Sequence, residues 1–495
     1  MRASTTRNDN VALALCLAVL PFVALADVAA QAPGFADVRA RAFKAMGGQD
    51  VARLEYRGRG WDACLGQAWK VTEGWARWEL QEYRRVIDYG AATSLQTARR
   101  RAAMDPERIG GCGAQPDAAF TPQQTVIGPT ASWADQLPIW LTPHGFLALG
   151  AQTVPVVERE GRGFKVALPL TRAGIRYTLN GYYDRGYLLQ RIETWIDDPV
   201  YGDMKVEVRF DDYRDFGGVR FPASIAYRQG GFTTLDLTID GVVPNTEASA
   251  GPPPRAAGER QPAAGPPGAA AAAEPPYYEI ADGIFVFSGA YQGVAVEFSD
   301  FCVLIDGMQS DARVRDLIRL THQAIPNKPI RYAVNTHSHF DHAAGLRLLA
   351  AEGAIVLTHE TNRAFFKRAL NARRTLTSES TSARAVTVQG IRDRHVISDA
   401  SGQAIELYTL QGGLHAADML IAYLPRARAV VESDLLQPWI NPVFGGGRRG
   451  PHPYLVYLVQ QLERLQLDYE QFVPIHRPPV PPTMKKADLL AAVSR

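Results

Sequence analysis

The chain has 495 residues, 46% hydrophobic and 21% charged, with 53 Lys+Arg against 51 Asp+Glu for a net charge of +2. That balance excludes disorder throughout, and the length exceeds what one core of roughly 100 to 200 residues organises, so at least two domains are expected. Near-neutrality excludes the electrostatic footprint of a nucleic-acid binder or of a protein held on an anionic membrane, and runs such as Arg99-Arg100-Arg101 read as solvated faces.

Residues 1–30 read as a secretory signal peptide. Arg2 and Arg7 precede an apolar run over residues 11–26, and Val28-Ala29-Ala30 offers a small-residue cleavage site. The run is shorter than the roughly 20 residues needed to span a bilayer and contains Pro21, so no stable span is expected after its removal. Leu15 ahead of Cys16 is too bulky for lipoprotein processing. The expectation is a secreted or periplasmic protein, in which an oxidising compartment favours a Cys64–Cys112 disulfide. Cys302, inside the apolar run "FCVLID", reads as a buried thiol.

Residues 35–245 read as a mainly antiparallel β domain after one short helix over residues 38–46. In "MKVEVRF", Val206, Val208 and Phe210 alternate with Lys205, Glu207 and Arg209, the period of a half-buried strand, and "TLDLTID" at 234–240 repeats it. Turns at Gly217-Gly218 and over residues 184–186 join such strands into hairpins. Trp75, Trp78, Tyr182, Tyr183 and Trp195 could line an apolar cleft, and the stretch resembles the curved sheets of periplasmic lipoprotein-carrier domains; the plainer reading is core and edge aromatics. His144 stands alone and reads as structural, and no catalytic constellation is legible in this half.

Residues 246–276, "TEASAGPPPRAAGERQPAAGPPGAAAAAEPP", offer almost nothing to bury and read as a semi-extended Pro/Ala-rich tether. Residues 277–495 then alternate strands and helices: "VAVEF" and "CVLID" as strands, "DARVRDLIRLTHQA" as a helix, "IRYAVN" as a strand and "AAGLRLLAAEG" as a helix closing at Gly353. "AIVLT", "MLIAYLP" and "RAVVES" follow as strands, and "PYLVYLVQQLERLQL" as a helix. That order predicts an α/β domain with sheets covered by helices.

Nine of the ten histidines fall in this second domain, three of them within "VNTHSHFDHAAG" at 334–345. His337 and His339 are two apart, so on an extended segment both point to one side, and Asp341 and His342 follow where the chain enters a helix. Further candidates lie just past predicted strand ends: His415 in "QGGLHAADML", Asp434 after "AVVES" and His476 after "QFVPI". His322, His359, His395 and His452 lack such context and read as surface or core residues.

With "VLID" at 303–306, "THSHFDHAAG" at 336–345, "GGLHAADM" at 412–419, "ESD" at 432–434 and "PIH" at 474–476, the second domain resembles the metallo-β-lactamase superfamily, its motifs in the family's order. The resemblance implies an αββα sandwich of two facing sheets between helical layers, with metals at one edge. It implies that His337, His339 and His415 hold one zinc, that Asp341, His342 and His476 hold a second, that Asp434 bridges them, and that Asp306 buttresses the ligand loop. Imidazoles and carboxylates suit two Zn²⁺, although iron or manganese would tolerate the same oxygen-rich second site. Two cations sharing one oxygen lower the pKa of bound water from about 16 toward 7, so a bridging hydroxide is the expected nucleophile, with Asp341 orienting it.

Zinc β-lactamases generally lack an aspartate at the bridging position, and some use cysteine at the second site; this chain has Asp434 and no cysteine after Cys302. It resembles glyoxalase II, lactonase and alkylsulfatase relatives more. A cytosolic glutathione thioester does not suit an exported protein, and lactonases carry a tyrosine where this chain has Gln437. Two departures stand out: Glu432-Ser433 ahead of Asp434, where glycine or alanine is common, and Arg477-Pro478 after His476, where glycine is usual. In the 441–453 loop, Arg448 and Arg449 could meet an anionic substrate. The expectation is a zinc hydrolase acting on a small ester, lactone, thioester or similar bond. The alternatives are a β-lactamase proper, or a periplasmic binding or carrier protein whose metal domain is incidental.

Overall fold

Strict alternation builds the first half. In the strand Gly202–Asp215, Val206, Val208 and Phe210 face the core, Lys205 and Arg209 face water, and Glu207 lies at the rim within 3.2 and 2.6 Å of those two cations. The computed structural model describes residues 33–102, 119–251, 275–377, 385–436, 452–476 and 482–494. The expected signal peptide, Cys112, most of the tether and of the 441–453 loop, and Arg477-Pro478 lie outside the described residues.

Eleven antiparallel strands form one sheet. Its first strand in the chain, Arg53–Ala68, lies between the second, Trp75–Asp88, and the last, Phe232–Pro244, so the two ends of this half are stitched together in mid-sheet. One face packs on the helix Phe35–Ala45 and on two helices the sequence reading missed, Trp133–Trp140 and Pro143–Gly150. Each of those two is only 8 residues long; Pro143–Gly150 is apolar almost all round, and Trp133–Trp140 carries Pro138 in its interior and the polar Gln136 on its buried face, so neither shows a plain amphipathic stripe. Ser132 and Thr142 cap them, accepting from Asp135 N and Gly145 N. His144 is buried among these helices, stacked on Phe221, and burial pushes its pKa down to about 4. Tyr183 joins the core, whereas Trp195 is exposed, so the aromatics named in the sequence divide between core and surface. Cys64 is disulfide-bonded.

The second half has a seven-stranded mixed sheet, from Tyr277–Ala281 to Val388–Ile391, and a six-stranded one, from Arg394–Ser398 to Met484–Lys485. The run Cys302–Ile305 is buried along its whole length because its strand has a covered face on each side. Val303 and Ile305 meet Leu407, Leu420, Val431 and Val473 between the sheets, while Cys302 and Leu304 pack outward on the helices Asp311–Ala324, Leu346–Glu352 and Glu360–Leu370. The helices Pro453–Leu465 and Lys486–Val493 cover Ile421, Val430 and Phe472 on the far side. This is the αββα layering expected of the sequence, and burial raises the Cys302 thiol to about 12.

The two halves dock through the turn after Leu189–Asp198. Val200 is wholly buried in the core of the second half, and Arg347 binds the carbonyls of Val200, Ala369, Leu370 and Ala372 at 2.7 to 3.3 Å. Gly202, at φ +79°, lets Arg373 O approach so closely that a Cβ would lie 2.3 Å from it. Arg374, itself 6% exposed, bridges Asp197 of the first half at 2.6 Å and Asp311 of the second at 2.7 Å. No helix among the described residues is long and apolar enough to cross a membrane.

Replacing Arg374 by Leu leaves both carboxylates without their shared partner. Because each is partly exposed, the loss expected in urea unfolding is about 2 kcal/mol, below the cost of breaking a fully buried pair.

Candidate metal centre

The site begins where strands stop. The strand Ile330–Val334 gives way to a loop over residues 335–339 and then to the short helix Phe340–Ala343, so His337 and His339 leave an extended segment while Asp341 and His342 leave a first helical turn. Asn335 shapes this loop from inside. Its Nδ2 donates to the carbonyls of His337 at 2.5 Å and His342 at 2.9 Å, and its Oδ1 accepts from Thr358 at 2.9 Å. Ser338 N donates to Asp418 at 2.9 Å, as does Asn362, and burial pushes the Asp418 pKa up.

Asp306 stands behind the loop, just past Cys302–Ile305, at φ +52°. A non-glycine residue adopts that backbone at a cost, and here it is met by three hydrogen bonds. Asp306 accepts from Gly307 N at 2.6 Å, from His342 Nδ1 at 2.9 Å, and from Thr336 Oγ1.

The remaining nominated residues also follow strands: His415 the strand Ala404–Thr409, Asp434 the strand Ala429–Glu432 and His476 the strand Gln471–Pro474. All seven converge in two groups. His337, His339, His415 and Asp434 each offer an atom within 4.8 Å of one another, and so do Asp341, His342, Asp434 and His476. Asp434 belongs to both. Its Oδ2 lies 2.9 Å from His415 Nε2 and 3.8 Å from His337 Nε2, and its Oδ1 lies 2.8 Å from His342 Nε2 and 3.0 Å from His476 Nε2. Asp341 Oδ2 stands 3.6 Å from His342 Nε2 and 3.9 Å from His476 Nε2.

The partners fix which nitrogen of each ring can receive a cation. His342 Nδ1–H donates to Asp306 and turns Nε2 inward. Thr336, having given its proton to Asp306, accepts from His337 Nδ1 at 3.2 Å and leaves Nε2 inward; that buried atom has no hydrogen-bond partner. His339 Nε2–H donates to the carbonyl of Ala68 at 3.0 Å, which leaves Nδ1 facing His415 Nε2 at 2.9 Å. Converging lone pairs around one carboxylate are a donor set that fits a cation.

Electrostatics agrees. Burial, reinforced by the neighbouring histidines, pushes His337 well below the ordinary imidazole range and His339 down to about 3. His342 is the exception: burial opposes charge there too, but Asp306, Asp434 and Asp341 overcome it and favour a second ring proton, on Nε2, which a bound cation would displace. Burial likewise opposes charge on Asp434, and four histidines outweigh it, so the carboxylate stays ionised well below its usual range.

Residues 293–476 match the family model described as the metallo-beta-lactamase superfamily. This segment is a metallo-beta-lactamase superfamily domain. It marks the chain as a metal-dependent hydrolase. Among solved structures, the metallo-beta-lactamase from Pontibacter korlensis is 19% identical over 44% of this chain and 96% of its own, with a TM-score of 0.33. The mono-zinc form of FIM-1 from Pseudomonas aeruginosa is 19% identical over 44% and 92%, also at 0.33. The sec-alkylsulfatase Pisa1 from Pseudomonas sp. is 16% identical over 44% of this chain and 40% of its own, again at 0.33. No curated protein matches the chain.

In this metallo-beta-lactamase superfamily domain the departure at Glu432 has a physical role. Its buried carboxylate accepts from Leu435 N at 2.6 Å and Leu436 N at 3.1 Å, closing the turn that carries Asp434, and burial raises its pKa to about 8. Ser433 Oγ lies 3.4 Å from His337 Nδ1. Arg448 and Arg449 fall outside the described residues.

Several residues at the centre escaped the sequence reading. Tyr291 donates its hydroxyl to Asp341 Oδ2 at 2.8 Å, and Tyr454 lies 3.4 Å from His415 Nδ1. The first half, in which no catalytic constellation is legible from sequence, sends the end of Arg53–Ala68 to the site: Gln67 Nε2 donates to Asp341 Oδ1 at 2.9 Å, and Ala68 O is the acceptor for His339. No local motif marks "GQAW", and only pairing at long sequence separation brings it here.

Asn335→Leu deprives two buried carbonyls of their donor and the Thr358 hydroxyl of its acceptor. In metal-free protein, urea unfolding is expected to show a loss of about 2–3 kcal/mol, the range for buried polar groups left unsatisfied.

Proposed function

We propose that the chain is an exported, dinuclear zinc-dependent hydrolase that cleaves a small ester, lactone, thioester or similar bond. The observation that carries this reading is the sharing of Asp434, one oxygen toward each of two four-residue groups. His337, His339 and His415 would hold one cation and Asp341, His342 and His476 the other, with Asp434 between them. When bound, such a pair acidifies water and withdraws electrons from the scissile bond.

The chain's own residues do the positioning. Asp306 and Thr336 hold Nδ1 of His342 and of His337, so that Nε2 of each ring faces inward. Asp341 has one oxygen bound by Gln67 and the other by Tyr291, which holds its carboxylate in a single orientation from which it directs the attacking water. Water is excluded from the deeper part of the centre, where His337, His339 and His342 are wholly buried, and fixed dipoles act more strongly there than in bulk solvent. Asp341, part-exposed at the edge, marks the side from which a substrate would approach.

Elemental analysis of the purified chain is expected to find about two metals per molecule, zinc foremost, as a two-metal hydrolytic site requires. Chelation should remove turnover of ester, lactone or thioester substrates, and added zinc should restore it. The double substitution His337→Ala, His339→Ala should reduce turnover to the uncatalysed rate. A clean, folded preparation that holds no metal and takes none up would defeat the proposal. A chromogenic lactam hydrolysed faster than every ester and lactone would move the substrate class to lactams.

A further inference from the structure

A strand of the first half ends inside the metal centre, and its contacts are too many and too specific to be packing alone. Gln67 donates to Asp341, and the Ala68 carbonyl accepts from His339. Trp69 Nε1 donates to Gly413 O at 3.1 Å, and Ala417 N donates to Trp69 O at 2.9 Å, so one residue grips the loop carrying His415 from both sides. Gly66, at φ +82°, lies flat against the Phe340 ring, where a Cβ would come within 2.4 Å, and Trp75 meets the same ring edge-on. Four consecutive residues, 66–69, thus touch two of the four ligand-bearing segments, those of His339 with Asp341 and of His415.

We infer that residues 66–69 of the N-terminal half are positioning residues of the metal centre, so that metal affinity in the C-terminal half depends on a hairpin contributed by the other. The inference rests on the dinuclear reading above. Its chemistry is that of an outer shell. A carbonyl can only accept, so Ala68 requires the proton of His339 on Nε2 and leaves the Nδ1 lone pair for a cation. Without that acceptor the ring is free to take the other tautomer or to flip. Gln67 acts on the other group of ligands: its amide holds Asp341 Oδ1, leaving Oδ2 toward His342 and His476. The hairpin therefore reaches both groups, one through a backbone carbonyl and the other through a side-chain amide.

The test uses the full chain, stripped of metal and titrated with zinc against a chromophoric chelator. Gln67→Met keeps the side chain's length and removes the donor; it should weaken the site of Asp341, His342 and His476 by about 10- to 100-fold, the usual scale for losing an outer-shell partner. Trp69→Phe keeps an aromatic side chain but removes the N–H bound to Gly413 together with half of the indole; it should weaken the site of His337, His339 and His415 by about 10-fold. Unfolding of both metal-free variants should stay close to that of the parent. In cobalt-substituted protein, the visible bands of the affected site should shift, a change that loosened packing alone would not produce. Two zinc ions held by the parent and held equally tightly by both variants, with unchanged cobalt spectra, would overturn the hairpin's role and leave the dinuclear reading standing. A parent chain that binds no zinc would overturn both.

Discussion

The sharing of one buried carboxylate among four imidazoles is the constraint on which the rest depends. Asp434 is 2% exposed, and a lone carboxylate at that depth would be neutral. It is ionised because His342 and His476 face one oxygen and His415 and His337 the other. Four rings cannot crowd one carboxylate unless each is restrained from behind, since neighbouring imidazoles repel when protonated and leave lone pairs unmatched when neutral. The scaffold is therefore largely a means of aiming histidines.

The restraints come from separate elements, and several are themselves costly. Asp306 sits in left-handed backbone, Asp418 and Glu432 are buried acids, and Asn335 spends both amide protons on the loop that bears three of the histidines. Each is supported by donors that point only one way: backbone N–H groups toward Asp306, Asp418 and Glu432, and the Thr336 hydroxyl toward Asp306. Strain and buried charge at strand ends are tolerable because two sheets and the helical layers that cover them supply the stability elsewhere.

What was legible in the sequence follows from the range of the interactions. The ligands could be read because their spacing is local, as in His337, His339, Asp341 and His342, or because they follow an apolar run closely, as do Asp434 and His476, or sit in a Gly-Gly loop, as does His415. The layered fold could be read from the same runs, since Cys302–Ile305 is apolar at every position and Val206 to Phe210 at every second one. The helices Trp133–Trp140 and Pro143–Gly150 could not, because each has only 8 residues, Pro138 and a buried Gln136 break the pattern of the first, and burial nearly all round erases the periodicity of the second. Glu432 was visible only as a departure from a pattern; its role needed the turn that folds its backbone donors back onto it.

Gln67 and Ala68 were invisible for a stronger reason. Their partners lie 274 and 271 residues away, and Ala68 acts through a backbone carbonyl that any amino acid would present. What selects that carbonyl is the position of the hairpin, which the first half fixes at two places: at the metal centre through residues 66–69, and at Val200 with Asp197 and Asp203, where Arg347, Arg373 and Arg374 bind. Two attachments resist the rotation that either alone would permit. The two attachments converge on one ring, since Tyr201 beside Val200 packs on Phe340 at 5.8 Å between centroids and Gly66 and Trp75 meet the same ring, so the docking contact also steadies the helical turn that carries Asp341.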